Sequence, residues 1–309
     1  MNTISHQELI KRQGWTLPQK IDHALYIIEA FLAQYPDAVV AYSGGIDSTV
    51  MLFLVRMIDK NRKAVFANTT NEFGEILKFV KDTDNVEIVM PDTNFKKIVE
   101  QYGFPIISKK VARMIHDVRH PTDRNKATRT LYLTGTKRDG TKSSQFHIPK
   151  KYMHLIDAPF DITHKCCDFL KKKPMEQLSK NGVFIGTMAE NSYTRKGAYM
   201  KTGCINVKEK KAMPMSIMLK EDIWAIAKMF NIKFCDIYTG ENKEENTGCA
   251  YCAFGCQFDK DRFKRLQRRE PKRFDQMMSL TNNGVTYEMA LNYCFNYGKQ
   301  LLLPWGNNV

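Results

Sequence analysis

Apolar side chains recur at Ile21, Leu25, Ile28 and Leu32 within QKIDHALYIIEAFLAQY (19–35), a three-and-four spacing that predicts an amphipathic helix. DAVVAYS then presents a continuous apolar run, as expected of a strand buried on both faces, and STVMLFLVRMIDKN reads as the helix that follows it. The rhythm repeats: KAVFANTT as a strand, EFGEILKFVKD as a helix, NVEIVMP as a strand and NFKKIVEQYG as a helix. Strands alternating with helices imply crossover connections and a parallel sheet with helices on both faces. From Ser108 to Lys151 the pattern weakens. This stretch is rich in Lys, Arg, His, Thr and Ser, and its TGTKRDGTKSS reads as a mobile loop or small insertion. The alternation returns with NGVFIGTMAEN (strand into loop) and LKEDIWAIAKMFNI (helix), and the tail from Asp259 to about Tyr297 reads as helical. The expected organisation is an N-terminal helical segment at 1–35, an α/β domain at 36–258, and a basic helical C-terminal region at 259–309.

Composition refines this picture only in charge. The chain has 43% hydrophobic and 26% charged residues, an ordinary balance for a globular protein, but 47 Lys and Arg stand against 33 Asp and Glu, a net +14. Such an excess favours anionic partners such as nucleotides, nucleic acid or acidic protein surfaces. No apolar stretch reaches the roughly 18–20 residues that span a bilayer, and MNTISHQELIKRQGW lacks the apolar core of a signal peptide. The expectation is a cytoplasmic protein with no membrane partner.

Between the first strand and its helix stands AYSGGIDSTV. A loop at the carboxyl end of a parallel strand is where α/β proteins bind ligands. Gly44 and Gly45 permit a tight turn, while the amides of the helix start and the Ser43 and Ser48 hydroxyls can cradle phosphate oxygens. Asp47 suits a Mg²⁺ that accompanies the phosphates. The bland alternative is a Gly-Gly turn with a Ser/Asp cap, which the strand–loop–helix setting disfavours.

Eight cysteines are present, and four of them pair up: Cys166–Cys167 in THKCCDFLKKKP, and Cys249 with Cys252 in TGCAYCAFGC. Four thiolates are enough for a tetrahedral zinc or a 4Fe–4S cluster, and spacing alone leaves both open. Cys256 adds a third nearby thiol, to be read as a spare ligand, a redox-active thiol or a buried apolar residue. Cys204, Cys235 and Cys294 are isolated in sequence.

SGGIDS resembles the SGGxDS signature of the PP-loop ATP-pyrophosphatase superfamily, whose fold is that of the adenine nucleotide alpha hydrolases. The arrangement Cys-Cys, about eighty residues, Cys-x-x-Cys resembles the cluster pattern of adenylyl-sulfate reductases in the phosphoadenylyl-sulfate (PAPS) reductase family. The likeness extends through KCCDFLKKKP, GTMAENSYTR, MPMSIMLKEDIWAIA and ANTTNEFGEILKF, from about residue 36 to 258. It implies a 4Fe–4S cluster held by Cys166, Cys167, Cys249 and Cys252, with zinc as the alternative. It also implies that Lys171 lies near cluster and substrate, and that Arg195 binds the substrate. Asp47, Lys171 and Arg195 are thus the candidate catalytic residues, with Ser43, Gly44, Gly45, Asp47, Ser48 and Arg195 on the nucleotide.

One family feature is missing. Sulfonucleotide reductases carry a nucleophilic Cys in a C-terminal Glu-Cys-Gly motif, and this chain ends YGKQLLLPWGNNV. Other superfamily branches use the loop to adenylate an oxygen with ATP, after which sulfur displaces AMP, and need no such thiol. The leading expectation is therefore an iron–sulfur enzyme using ATP with Mg²⁺ to transfer sulfur to a nucleic acid or related acceptor. The first alternative is an adenylyl-sulfate (APS) or PAPS reductase using Cys256, Cys294 or a partner's thiol. The second is a non-catalytic nucleotide-binding protein with a structural metal. A sulfur donor or thioredoxin-like protein is the expected protein partner. DKDRFKRLQRREPKRFD and the region Lys109 to Arg129 supply clustered cations that could meet nucleic-acid phosphates, or remain a solvated face paired with neighbouring acids.

Overall fold

The computed structural model describes residues 3–143, 145–176, 178–239, 243–245, 247–256 and 259–296. The chain divides into two compact units interleaved in sequence. The first comprises Met1–Asn68, Glu72–Pro91 and Lys171–Thr247, and the second Thr69–Asn71, Asp92–Leu170 and Gly248–Val309.

The first unit is built on a six-stranded sheet. Its order runs Val86–Val89, Ala64–Ala67, Val39–Ala41, Val183–Ile185, Lys211–Ala212, Ile205–Asn206, and only the last pair is antiparallel. The fully apolar runs seen in sequence occupy the centre: Val40 and Phe184 are wholly buried and pair in register. Flanking helices include Leu17–Gln34, Ile46–Ile58, Gly74–Lys81 and Lys220–Met229. The 18-residue Leu17–Gln34 starts at Thr16, whose amide donates to Gln19 Oε1 at 3.0 Å, with Pro18 in its first turn. Its buried stripe runs through Ile21, Ala24, Ile28 and Phe31; Leu25 and Leu32 of the sequence pattern are only half-buried.

That stripe also contains Lys20, which sequence periodicity does not mark. Its Nζ sits 2.6 Å from Asp222 Oδ2, with 4% and 11% of the two side chains exposed. Asp222 also accepts from the Leu219 amide at the start of Lys220–Met229. Removing one partner leaves a buried charge uncompensated. Lys20→Met is expected to lower the unfolding free energy by about 3–5 kcal/mol in urea titration; a loss below about 1 kcal/mol would place the pair among weak surface bridges.

The second unit is largely helical: Phe95–Tyr102, Lys109–Arg119, Lys126–Thr134, Arg262–Arg269, Pro271–Met278 and Tyr287–Asn296. Two short strands, Ile106–Ile107 and Ala253–Phe254, pair in parallel, and Thr281–Asn282 with Val285–Thr286 forms a hairpin. Phe104 stacks on Tyr287 at 4.9 Å and meets Phe160 edge-on at 5.7 Å, forming the aromatic centre of its core.

The region read as an irregular insertion is ordered here. Ser108 caps Lys109–Arg119 by accepting from the Val111 amide, and Val111, Ala112, Met114, Ile115 and Val118 face inward. Within TGTKRDGTKSS a Thr136–Lys142 bridge closes a turn with Gly140 at φ +81°; Ser144 lies outside the described residues. Among the described residues of 259–296 three helices are interrupted by the hairpin; YGKQLLLPWGNNV lies outside the described residues. Among the described residues, no helix is long and apolar enough to cross a membrane.

Candidate nucleotide and cysteine sites

In the first unit the chain leaves Val39–Ala41 through Tyr42 and turns at Gly44, whose φ is +68°. A side chain there would be strained and would press on Val80 Cγ2 at 3.0 Å, so glycine is required twice over. Gly45 caps the helix Ile46–Ile58. The Ser48 hydroxyl donates to the Gly45 carbonyl at 2.9 Å and accepts from the Ser43 amide at 3.1 Å, with the Ser43 hydroxyl 3.0 Å away. The two serines therefore fix the loop's shape as well as lining it. A Cβ on Gly45 would lie 3.2 Å from Ser43 Oγ, 3.3 Å from Thr247 Oγ1 and 3.4 Å from the Tyr238 hydroxyl. The glycine thus opens a small cradle ringed by three hydroxyls at a helix N-terminus, the geometry of an anion site.

Asp47 occupies the first turn of this helix. Burial raises its pKa above the ordinary aspartate range, partly opposed by Arg195 and Lys220 and reinforced by Glu190. Arg195 is exposed in the helix Tyr193–Thr202, where the Ser192 hydroxyl accepts from its amide at 3.2 Å. Glu190 accepts from the Lys220 amide. A half-buried carboxylate with two cations in its field suits a metal-bound polyphosphate, whose metal would meet the carboxylate and whose oxygens would meet the cations. Sequence reasoning missed Lys220, Glu190, Tyr238 and Thr247. It also missed Gly186, where a Cβ would fall 3.0 Å from the Asp47 carbonyl oxygen. Glu190 and Lys220 stood inside recognised segments, but Tyr238 and Thr247 carried no local signal.

All four paired cysteines lie in the second unit. Cys166 and Cys167 open the helical run that continues through the turn Asp168–Lys172, which contains Lys171 with its side chain partly exposed. The Lys165 carbonyl accepts from the Asp168 and Phe169 amides, so the backbone turns tightly at the cysteine pair. Cys249 and Cys252 close a tight turn, the Cys252 amide donating to the Cys249 carbonyl at 3.1 Å. Several neighbours hold this turn. Arg262, itself buried, donates to the Cys249 carbonyl at 2.8 Å; the Tyr287 hydroxyl donates to the Tyr251 carbonyl at 2.9 Å; the Ala250 amide donates to the Asn71 carbonyl at 2.7 Å.

The four thiols act on one another. Burial, then Cys252, Cys167 and Cys249, push Cys166 up, and burial with Cys249 and Cys167 pushes Cys252 up to about 12. Burial and the neighbouring sulfurs thus disfavour ionisation of Cys166 and Cys252, a cost that a cationic centre would remove. Among the described residues no three His, Cys, Asp or Glu side chains converge to metal-binding geometry. The fit to an iron–sulfur centre or zinc therefore rests on the donor set: four thiols on two turns of one compact unit. Cys256 is buried and pushed up to about 12 by burial; Cys294 is 4% exposed and raised well above the ordinary thiol range by burial alone. Neither has the lowered pKa that a nucleophilic thiol requires.

The basic run 260–273 is only partly a free surface. Arg265 makes a two-pronged bridge to Asp259, Lys264 pairs with Asp261, and Arg273 with Glu270 and the Tyr251 hydroxyl. Lys260, Arg268 and Lys272 remain exposed.

Residues 37–145, which include the glycine loop and the first three strands of the mostly parallel sheet, match the family profile described as the Phosphoadenosine phosphosulfate reductase domain. No curated protein matches the chain. Among solved structures it is similar to phosphoadenylyl-sulfate (PAPS) reductase from Candida auris in a phosphate complex. That likeness has 10% identity over 80% of this chain and 98% of the other, with a TM-score of 0.39. It is also similar to the U34-tRNA thiolase NcsA from Methanococcus maripaludis with its [4Fe-4S] cluster, at 14% identity over 95% and 93% of the two chains, with a TM-score of 0.35.

Proposed function

We propose that this protein is an ATP-dependent sulfur-transfer enzyme acting on a nucleic acid or related acceptor. The observation that carries the reading is Asp47: a half-buried carboxylate at the mouth of a hydroxyl-lined glycine cradle, with Arg195 and Lys220 in its field. The amides of the first helical turn, with Ser43 and Gly45, receive the phosphates, and Asp47 holds the accompanying Mg²⁺. An acceptor carbonyl oxygen attacks the α-phosphorus; the bond to pyrophosphate breaks, and Arg195 and Lys220 offset charge developing on the leaving group. Sulfur supplied at the sulfide level by a donor then forms the C–S bond as the C–O bond to AMP breaks. A proton is released and no electron is exchanged. A 4Fe–4S cluster, or zinc in its place, would be held by Cys166, Cys167, Cys249 and Cys252 and would supply a Lewis-acidic site for sulfur, with Lys171 on the turn that follows Cys167.

The buried, raised thiols of Cys256 and Cys294 speak against the reductase alternative in its form with an internal nucleophile. The discriminating experiment is anaerobic binding of ATP, adenylyl sulfate and phosphoadenylyl sulfate to the purified protein. Tighter binding of ATP with Mg²⁺ is expected. Tight sulfonucleotide binding beside weak ATP binding would overturn the proposal in favour of a reductase with a partner-supplied thiol.

A further inference from the structure

Within the second unit lies a groove of about 680 Å³, in the size range of a small-ligand site, that the loop and the cysteine set do not use. Its walls come from distant parts of the chain: Thr70 and Asn71, Asn94, Lys96 and Glu100, Tyr251, and Gln276 with its neighbours up to Thr281 other than Met278. Tyr251 stands between Cys249 and Cys252, so the groove's aromatic wall is part of the cysteine turn itself.

Three features define what the groove can hold. The first is an unmade hydrogen bond. Asn71 is 1% exposed and lines the groove, yet its Nδ2 is buried without a hydrogen-bond partner among the described residues. Buried donors are nearly always satisfied, so the Asn71 amide behind this wall calls for a water or ligand oxygen as its partner. The second is preorganisation. Thr70 is held at φ +65°, a strained conformation for a β-branched residue, and its carbonyl accepts from Arg273 Nη2 at 3.5 Å. Asn71 is fixed by its own amide donating to Thr69 Oγ1 at 3.2 Å, and by its carbonyl receiving Ala250. The third is the choice of side chains. Asn71, Asn94 and Gln276 are planar amides with donor and acceptor on one edge; Asn94 Oδ1 already accepts from the Lys97 amide, which leaves its NH₂ to donate. Tyr251 adds a half-buried ring, steadied by the Arg273 guanidinium 5.2 Å from its centroid.

Planar amides beside an aromatic ring match the edge and face of a nucleobase: Asn and Gln pair with base edges, and unpaired bases stack on Tyr. Exposed Lys96 at the groove and Lys272 on the neighbouring helix supply cations for a sugar–phosphate chain, although Lys96 also faces Glu100 at 3.9 Å. We infer that this groove receives one unpaired nucleobase of a polynucleotide strand. The inference rests on the acceptor proposed above and names the part of the protein that recognises it.

The test uses the full chain, purified anaerobically, with short single-stranded RNA and DNA carrying one 2-aminopurine, and with 2-aminopurine riboside alone. Two variants are compared: Gln276→Trp, which fills the groove from an exposed position, and Asn71→Asp, which replaces the orphan donor with an acceptor. Quenching of 2-aminopurine on binding is expected, with affinity falling at least about ten-fold in each variant, the scale of one lost base-edge pair, while ATP binding is unchanged. RNA and DNA arms tell which backbone the site prefers. Oligonucleotide binding that is equal in wild type and Gln276→Trp overturns the groove inference and leaves the nucleic-acid acceptor standing. Riboside binding lost in Gln276→Trp, with no oligonucleotide binding, overturns the inference of a polynucleotide strand and makes the groove a site for a free nucleoside. Absence of both overturns the groove inference outright.

Discussion

Asp47→Asn is expected to reduce ATP-dependent pyrophosphate release on the order of 100-fold, the usual scale for deleting one preorganised charge at a reacting phosphate. The variant keeps the size and hydrogen-bonding shape of the side chain and removes only its charge, so loop geometry should survive. A second signature separates a metal-holding role from a structural one. Burial, the largest influence on Asp47, raises its pKa above the ordinary aspartate range. Protons therefore compete with Mg²⁺ for this carboxylate at a less acidic pH than for an exposed one. The affinity of the wild type for ATP with Mg²⁺ should fall as pH is lowered through that raised range; Asp47→Asn should bind weakly and show no such fall. The sign for stability is opposite. A carboxyl whose folded pKa is raised favours its neutral form in the fold, so its charge at neutral pH works against folding. Asp47→Asn should thus keep or slightly raise the melting temperature while losing activity. An active variant, or one whose pH profile matches the wild type, would remove Asp47 from metal binding.

How much of this was legible in the sequence differs by region, for physical reasons. Continuous apolar runs such as DAVVAYS mark strands buried on both faces, and these became the centre of the sheet. Lys109–Arg119 was missed because Val111, Ala112, Met114, Ile115 and Val118 alternate with Lys110, Arg113, His116 and Arg119, so charge density hid a good helical stripe. Lys20 was missed for the converse reason: only a partner about two hundred residues away explains a lysine on the inward face. The interleaved units were illegible as well, because the chain passes into the second unit for only Thr69–Asn71 before returning.

At the candidate sites the split is similar. Ser43, Gly44, Gly45, Asp47 and Ser48 form one local turn, and local turns are what a motif encodes. Tyr238 and Thr247 reach the same cradle from far along the chain. The basic run 260–273 gives the sharpest lesson. Counting cations predicts a surface for phosphates, yet Arg262 and Arg273 spend their donors on the Cys249 carbonyl and the Tyr251 hydroxyl. Part of the charge that suggested a partner instead braces the cysteine turn.

Cys252→Ser is expected to abolish iron and sulfide retention in protein purified anaerobically, with the brown charge-transfer absorbance lost, and to eliminate sulfur transfer. ATP binding should stay within about two-fold, because the cradle at Gly45 belongs to the other compact unit; a tenfold change would need about 1.4 kcal/mol of coupling. Serine is nearly isosteric with cysteine, and Arg262, Tyr287 and Asn71 hold the turn through backbone atoms that the substitution leaves in place. Loss of iron would therefore report a lost ligand rather than a collapsed loop. Cys294→Ser is the counterpart. Cys294 is buried and its thiol is raised by burial, with no cation among the described residues acting to stabilise a thiolate. It should retain iron and sulfur transfer at wild-type levels. Sulfite release from a sulfonucleotide that disappears in Cys294→Ser would reverse this reading and restore an internal nucleophile. Zinc in place of iron in the purified wild type, lost in Cys252→Ser, would keep the four ligands but replace the cluster with a closed structural site, and catalysis would then depend on the nucleotide loop alone.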